Sequence, residues 1–117
     1  MVVDATERKT ADQLFHALGD STRRDIVQRC LHGEYSVSEL ARNYPMSFAA
    51  VQKHVAVLAS AGLVTKRRRG REQIVKGNIH SIQQVHELLD QLEVQWRHRI
   101  NQIGEILADN SNGGVKT

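Results

Sequence analysis

The run Lys66-Arg67-Arg68-Arg69-Gly70-Arg71 places five cations within six residues. That density suits a polyanion, because each neutralised phosphate releases condensed counterions and adds sequence-independent affinity. Upstream, Ser47-Phe48-Ala49-Ala50-Val51-Gln52-Lys53-His54 mixes groups able to read a base edge with groups able to hold a phosphate. Gln52 can pair with an adenine edge, Lys53 with a guanine or a phosphate, and Ala49 or Phe48 with a thymine methyl. Ser47 and a helix N-terminus suit a phosphate, and His54 can reach the backbone. Plainer readings stand beside these: Phe48 as core packed into a turn, His54 as a half-buried hydrogen-bonding residue, and the basic run as a solvated cluster.

Charge placement favours the first set. From Arg42 to Lys76, eight basic residues (Arg42, Lys53, Lys66, Arg67, Arg68, Arg69, Arg71, Lys76) stand against one acid, Glu72, although the 117-residue chain totals only +3. The rest of the chain is therefore net acidic, and a surface meant for phosphates needs that asymmetry.

The elements that must carry these residues follow from periodicity and punctuation. Ala11, Leu14, Phe15 and Leu18 recur at helical spacing before Gly19. Asp20 or Ser21 can cap a second helix with Ile26, Val27, Cys30 and Leu31 on one face, ended by His32 and Gly33. Ser36-Val37-Ser38-Glu39 has the form of a capping box, predicting a third helix to about Asn43. After Tyr44-Pro45-Met46, Ser47 caps a fourth helix over about 47–61, with Val51, Val55 and Leu58 inward and Phe48, Ala49, Gln52, Lys53 and Ala56 outward. Leu63-Val64-Thr65 and Gln73-Ile74-Val75 then flank the basic run as a hairpin over about 64–76. Helix, turn, helix and hairpin in that order make a winged helix-turn-helix, a mainly α fold with a small β-hairpin, whose second helix enters the DNA major groove while the hairpin flanks it. Lys66 and Arg68 should point away from Arg67 and Arg69 by the two-residue period of a strand.

A last helix is predicted from about Ile79 or Ser81 to Ala108, about 28 residues and roughly 42 Å. Along it Ile82, Val85, Leu89, Leu92, Trp96, Ile100, Ile103 and Leu107 form one stripe. With each such side chain worth about 1.5 to 3 kcal/mol on burial, a stripe of that size calls for a second surface. Two copies pairing through Leu14, Phe15 and Leu18 of the first helix and Leu89, Leu92, Trp96, Ile100 and Ile103 of the last would supply it; packing within one chain is the alternative.

Composition excludes other classes. Apolar residues at 40% and charged at 25% fit one soluble domain over 10–108, between tails at 1–9 and 109–117 expected to be mobile. A single cysteine, Cys30, rules out an internal disulfide, and with no signal-like leader and no apolar run near the roughly 20 residues of a membrane span the chain reads as cytoplasmic. No nucleophile with an adjacent base, no phosphate-cradling glycine loop and no metal triad suggests an enzyme or a cofactor.

Several stretches together resemble the ArsR/SmtB-type family of bacterial repressors across Ala11 to Leu107. Ala17-Leu18-Gly19-Asp20-Ser21-Thr22-Arg23-Arg24 is similar to "ALADPTRR", with Ser21 where proline is usual. Ser38-Glu39-Leu40-Ala41 resembles the third helix, and Ser47 to Val55 resembles "SQPAVSKHL". Ala61-Gly62-Leu63-Val64 with Arg68-Arg69-Gly70-Arg71 is similar to "AGLV...R.GR". The resemblance implies a homodimeric repressor on double-stranded DNA, released by an effector, small molecule or protein, that the residues do not identify. Metal-sensing members carry "ELCVCDL" where this chain has Glu34-Tyr35-Ser36-Val37-Ser38-Glu39-Leu40, so both thiolate positions are serine, a poor ligand for soft metals. The family's other site, of the type "D.H...H..H", is not matched by the spacing of His86, Asp90 and His98. No metal is expected, His80, His86 and His98 read as surface residues, and the resemblance is to the metal-independent subgroup. Two rivals remain: an architectural or RNA-binding protein, since a basic hairpin serves any nucleic acid, and a metal-responsive repressor with an atypical site on the last helix, where His86 and Asp90 lie one turn apart with His98 further along.

Overall fold

A computed structural model describes residues 5–110 of the chain, with side chains described over 10–108; the outer parts of both expected tails lie outside the described residues. The chain forms two compact units, one ending at Val85 and the other starting at His86.

In the first unit α1 (Ala5–Leu18) starts inside the segment expected as a tail. Gly19 donates its backbone N–H back to His16 O at 3.1 Å, closing the helix. Asp20 then caps α2 (Ser21–His32) by accepting from Arg23 N at 3.0 Å. Arg23 and Arg24 also turn back onto the end of α1: Arg23 donates to Ala17 O and His16 O at 2.7 and 3.0 Å, and Arg24 to Leu18 O at 2.7 Å. Two guanidinium groups thus satisfy carbonyls that a helix C-terminus leaves without partners, at the end of its dipole that favours cations.

The capping box is present as expected, Glu39 N–H to Ser36 Oγ and Ser36 N–H to Glu39 Oε1, both at 3.0 Å. It opens α3 (Val37–Ala41), which stops two residues before Asn43. Asn43 instead bends back, its backbone donating to Leu40 O and its side chain to Glu39 O. A two-residue strand, β1 (Tyr35–Ser36), precedes α3 and was not foreseen. After α4 (Phe48–Ser60), β2 (Val64–Arg69) and β3 (Glu72–Gly77) form the hairpin, and all strands pair antiparallel in the order β1-β3-β2. The arrangement is a winged helix-turn-helix, α3 and α4 forming the helix pair and β2-β3 the wing.

The core is aliphatic: Leu14, Ile26, Leu40, Val51, Val55, Leu58, Leu63 and Val75 are essentially inaccessible. Leu14, expected at a dimer interface, is only 1% exposed and belongs to this core. Leu14 and Ala17 share the inward face of α1, so of the three α1 residues assigned to an interface only Phe15 is exposed, with Leu18 half-buried. At Gly77 the sheet passes so close to α2 that a Cβ would fall 2.8 Å from Leu31 Cδ2. The start of α5 (Ile79–Asn110) is fastened to the end of α4: Asn78 Nδ2 and Ser81 Oγ both donate to Gly62 O, and Asn78 Oδ1 accepts from His80 N.

In the second unit, α5 from His86 to Ala108 is exposed on nearly every side, only Leu88 being half-buried. The apolar stripe therefore divides, with Val85 buried and Ile82 half-buried in the first unit while Leu89 through Leu107 are open.

Candidate nucleic-acid interface

Helix α4 is set at its start by Ser47, whose Oγ accepts from Ala50 N at 3.1 Å. Helix geometry gives the two amides ahead of Ala50, those of Phe48 and Ala49, no partner within the helix. Buried Val51, Val55 and Leu58 fix its rotation. Phe48, Ala49, Gln52, Lys53 and Ala56 then all lie on the exposed side. Phe48 is 46% exposed, so its ring is not part of the core. His54 departs from the expected set. It is half-buried, its Nδ1 accepts from Arg23 Nη1 at 3.3 Å, and the same atom lies 4.0 Å from Asp20 Oδ2. It faces the start of α2, since three residues beyond Val51 the helix has brought the side chain back to the inner edge.

The turn before α4 is held from behind. Tyr44 donates its phenolic hydrogen to Asp25 Oδ2 at 2.6 Å, the same oxygen accepts from Arg29 Nε at 2.8 Å, and the Arg29 guanidinium lies 5.9 Å from the Tyr44 ring centroid. The Tyr44 hydrogen bond, with that from Arg29, lowers the Asp25 carboxyl below its ordinary range. Burial and the neighbouring carboxylate push the Tyr44 phenol up to about 12. The spacing of Asp25 and Arg29 at i and i+4 hints at their pairing, but its use as an anchor for Tyr44 depends on α2 meeting the turn, which no local pattern reports.

In the wing, Gly70 takes a φ of +65°, the left-handed region a two-residue hairpin loop needs. Lys66 stands opposite Val75, Arg67 opposite Ile74, Arg68 opposite Gln73 and Arg69 opposite Glu72. Cross-strand partners share a face, so Lys66 and Arg68 lie on one face and Arg67 and Arg69 on the other, as the strand period predicts. All five wing cations are exposed. Arg67 is ion-paired with Glu34 at 2.9 Å, and Arg68 Nε donates to Gly70 O at 3.3 Å. Glu34 is a residue that sequence reasoning missed, because only the strand β1 brings it near the wing.

Ser36, at one of the family's thiolate positions, is buried and committed to the α3 cap. Burial raises the Cys30 thiol to about 11, far from a reactive thiolate. Among the described residues no three His, Cys, Asp or Glu are grouped to hold a metal ion.

The model of the family described as bacterial regulatory protein, arsR family, matches residues 20–66. A helix-turn-helix-type transcriptional regulator of Mycobacterium tuberculosis is 44% identical over 66 residues, 56% of this chain and 62% of the relative, so the match spans less than two thirds of that protein. A helix-turn-helix-type transcriptional regulator of Bacillus subtilis, described as uncharacterized, is 39% identical over 71 residues, covering 55% of this chain and 77% of the relative. Among solved structures, an ArsR-like transcriptional regulator from Rhodococcus sp. RHA1 superposes with a TM-score of 0.74 at 28% identity, over 85% of this chain and 93% of that one.

Proposed function

Since the chain belongs to the arsR family of bacterial regulatory proteins, we propose that it is a transcriptional regulator that binds double-stranded DNA as a homodimer and represses from a pseudo-palindromic operator. The observation that carries this reading is the outward face of α4. Phe48, Ala49, Gln52 and Lys53 stand exposed on a helix whose opposite side is locked into the core, next in the chain to a hairpin bearing five exposed cations. A reading helix fixed to the core with a charged hairpin beside it in the chain divides the labour that DNA recognition requires: base edges for choice, phosphates for affinity and register. Ser47, Phe48, Ala49, Gln52 and Lys53 are the readers. His54 acts from behind, bracing α4 against Arg23. Lys66, Arg68, Arg69 and Arg71 contact phosphates or the minor groove. Two copies related by a two-fold axis place their reading helices about 34 Å apart, one turn of the duplex.

Selection of bound duplexes from a random pool tests this reading, with an inverted-repeat consensus as the expected result. The selected duplex should then outcompete random duplex by at least about a thousandfold at physiological salt. Equal affinity for both would leave an architectural protein, and preference for RNA would replace the duplex altogether. Reversing charge at Arg69 and Arg71 should weaken binding to every duplex and flatten its salt dependence.

A further inference from the structure

One wing cation is already committed within the chain. Arg67 Nη2 donates to Glu34 Oε2 at 2.9 Å, and among the described residues no other wing cation pairs with an acid. The sheet order produces this contact. Tyr35 stands opposite Val75 and Ser36 opposite Ile74, so Glu34, two residues from Ser36, falls on the face that carries Ile74 and Arg67. Two long side chains then meet across the central strand β3.

We propose that Glu34 sets the affinity of the wing for DNA by withdrawing Arg67 from the cations that neutralise phosphates. The proposal rests on the DNA-binding reading above. An exposed ion pair and one exposed phosphate contact are similar in strength, so geometry and repulsion decide between them. Both favour the pair. Arg67 is held at contact distance before any DNA arrives, and a phosphate that approached it would meet the Glu34 carboxylate at the same place. The pair therefore meets the duplex as a neutral unit, and the wing neutralises phosphates through Lys66, Arg68, Arg69 and Arg71.

The test measures binding of a random-sequence duplex over a series of salt concentrations for the parent chain, Glu34→Gln, and the double variant Glu34→Gln with Arg67→Gln. Released Arg67 should add one phosphate per chain, so Glu34→Gln binds more tightly and its log–log salt slope steepens by about 0.9 per chain. The double variant should return to the parent slope. Three outcomes overturn the proposal: no steepening in Glu34→Gln, a gain that survives in the double variant, or a double variant shallower than the parent by about 0.9 per chain, which would put Arg67 on a phosphate from the start. A parent chain that binds no duplex at low salt, with Arg69→Gln and Arg71→Gln equally silent, overturns the DNA-binding reading itself and is told apart from these by the absence of any slope. Melting temperatures should stay together across the series, since an exposed pair contributes little to folding.

Discussion

Gln52 and His54 are two positions apart, and about 200° of helical rotation separates them. Gln52 stands exposed while His54 faces Arg23. The sequence marks the inner face of α4 clearly through Val51, Val55 and Leu58, which is why Ala49, Gln52 and Lys53 could be placed outside from spacing alone. Residues at the edge of that face were ambiguous, since a half-buried position is decided by what packs beside it. Phe48 resolved outward, and His54 resolved onto α2. On the proposed DNA-binding reading, exposed Gln52 is the side chain assigned to a base edge. Gln52→Ala should leave affinity for random duplex unchanged and should lose about 1 to 3 kcal/mol of discrimination at one base pair per half-site. Competition with operators altered one pair at a time measures this; a uniform loss across all duplexes would assign Gln52 to the backbone instead.

At the scale of elements, helix starts were legible because Asp20, Ser36 and Ser47 carry their own chemistry, a side-chain acceptor for an amide three residues on. β1 was hidden, being two residues long and overlapping the cap of α3, and its pairing partner lies some forty residues away. The anchoring of the turn between α3 and α4 was hidden for the same reason, as Tyr44 and Asp25 are 19 residues apart. Tyr44→Phe removes the donor while keeping the ring, so about 1 kcal/mol of stability should be lost at neutral pH. The dependence on pH identifies the cause. Asp25 is lowered in the folded chain, so its contribution is present above the ordinary carboxylate range and fades as pH falls through its folded pKa. Tyr44 is raised to about 12, so its contribution is present below the ordinary phenol pKa of about 10 and fades as pH rises toward about 12. The difference in melting temperature between parent and Tyr44→Phe should therefore be greatest from about pH 5 to pH 9 and shrink on both sides. A difference independent of pH would mean the hydroxyl acts only through packing.

For the whole molecule, the sequence announced a stripe too large for one small domain, and the structure locates where the surplus begins. Leu14, Ile82 and Val85 are absorbed or half-absorbed by the first unit. Phe15, Leu89, Leu92, Trp96, Ile100 and Ile103 are not, and Trp96 is 62% exposed. No arrangement of 3.6-residue periodicity could have made that division, because it depends on which face of α1 the core takes and on how far along α5 the core reaches. Exposed apolar residues at this density on one helix mark an interaction surface, and a two-fold dimer counts each residue twice. Trp96→Glu with Ile100→Glu removes two apolar side chains from each copy. With four side chains lost per dimer at about 1.5 to 3 kcal/mol each, the dimer should weaken by about ten-thousandfold or more. Sedimentation at micromolar concentration should shift from dimer to monomer, while the wing and α4 stay folded and single half-sites are still bound weakly in low salt. If the parent chain already sediments as a monomer, the stripe serves another partner and the palindromic operator loses its physical basis.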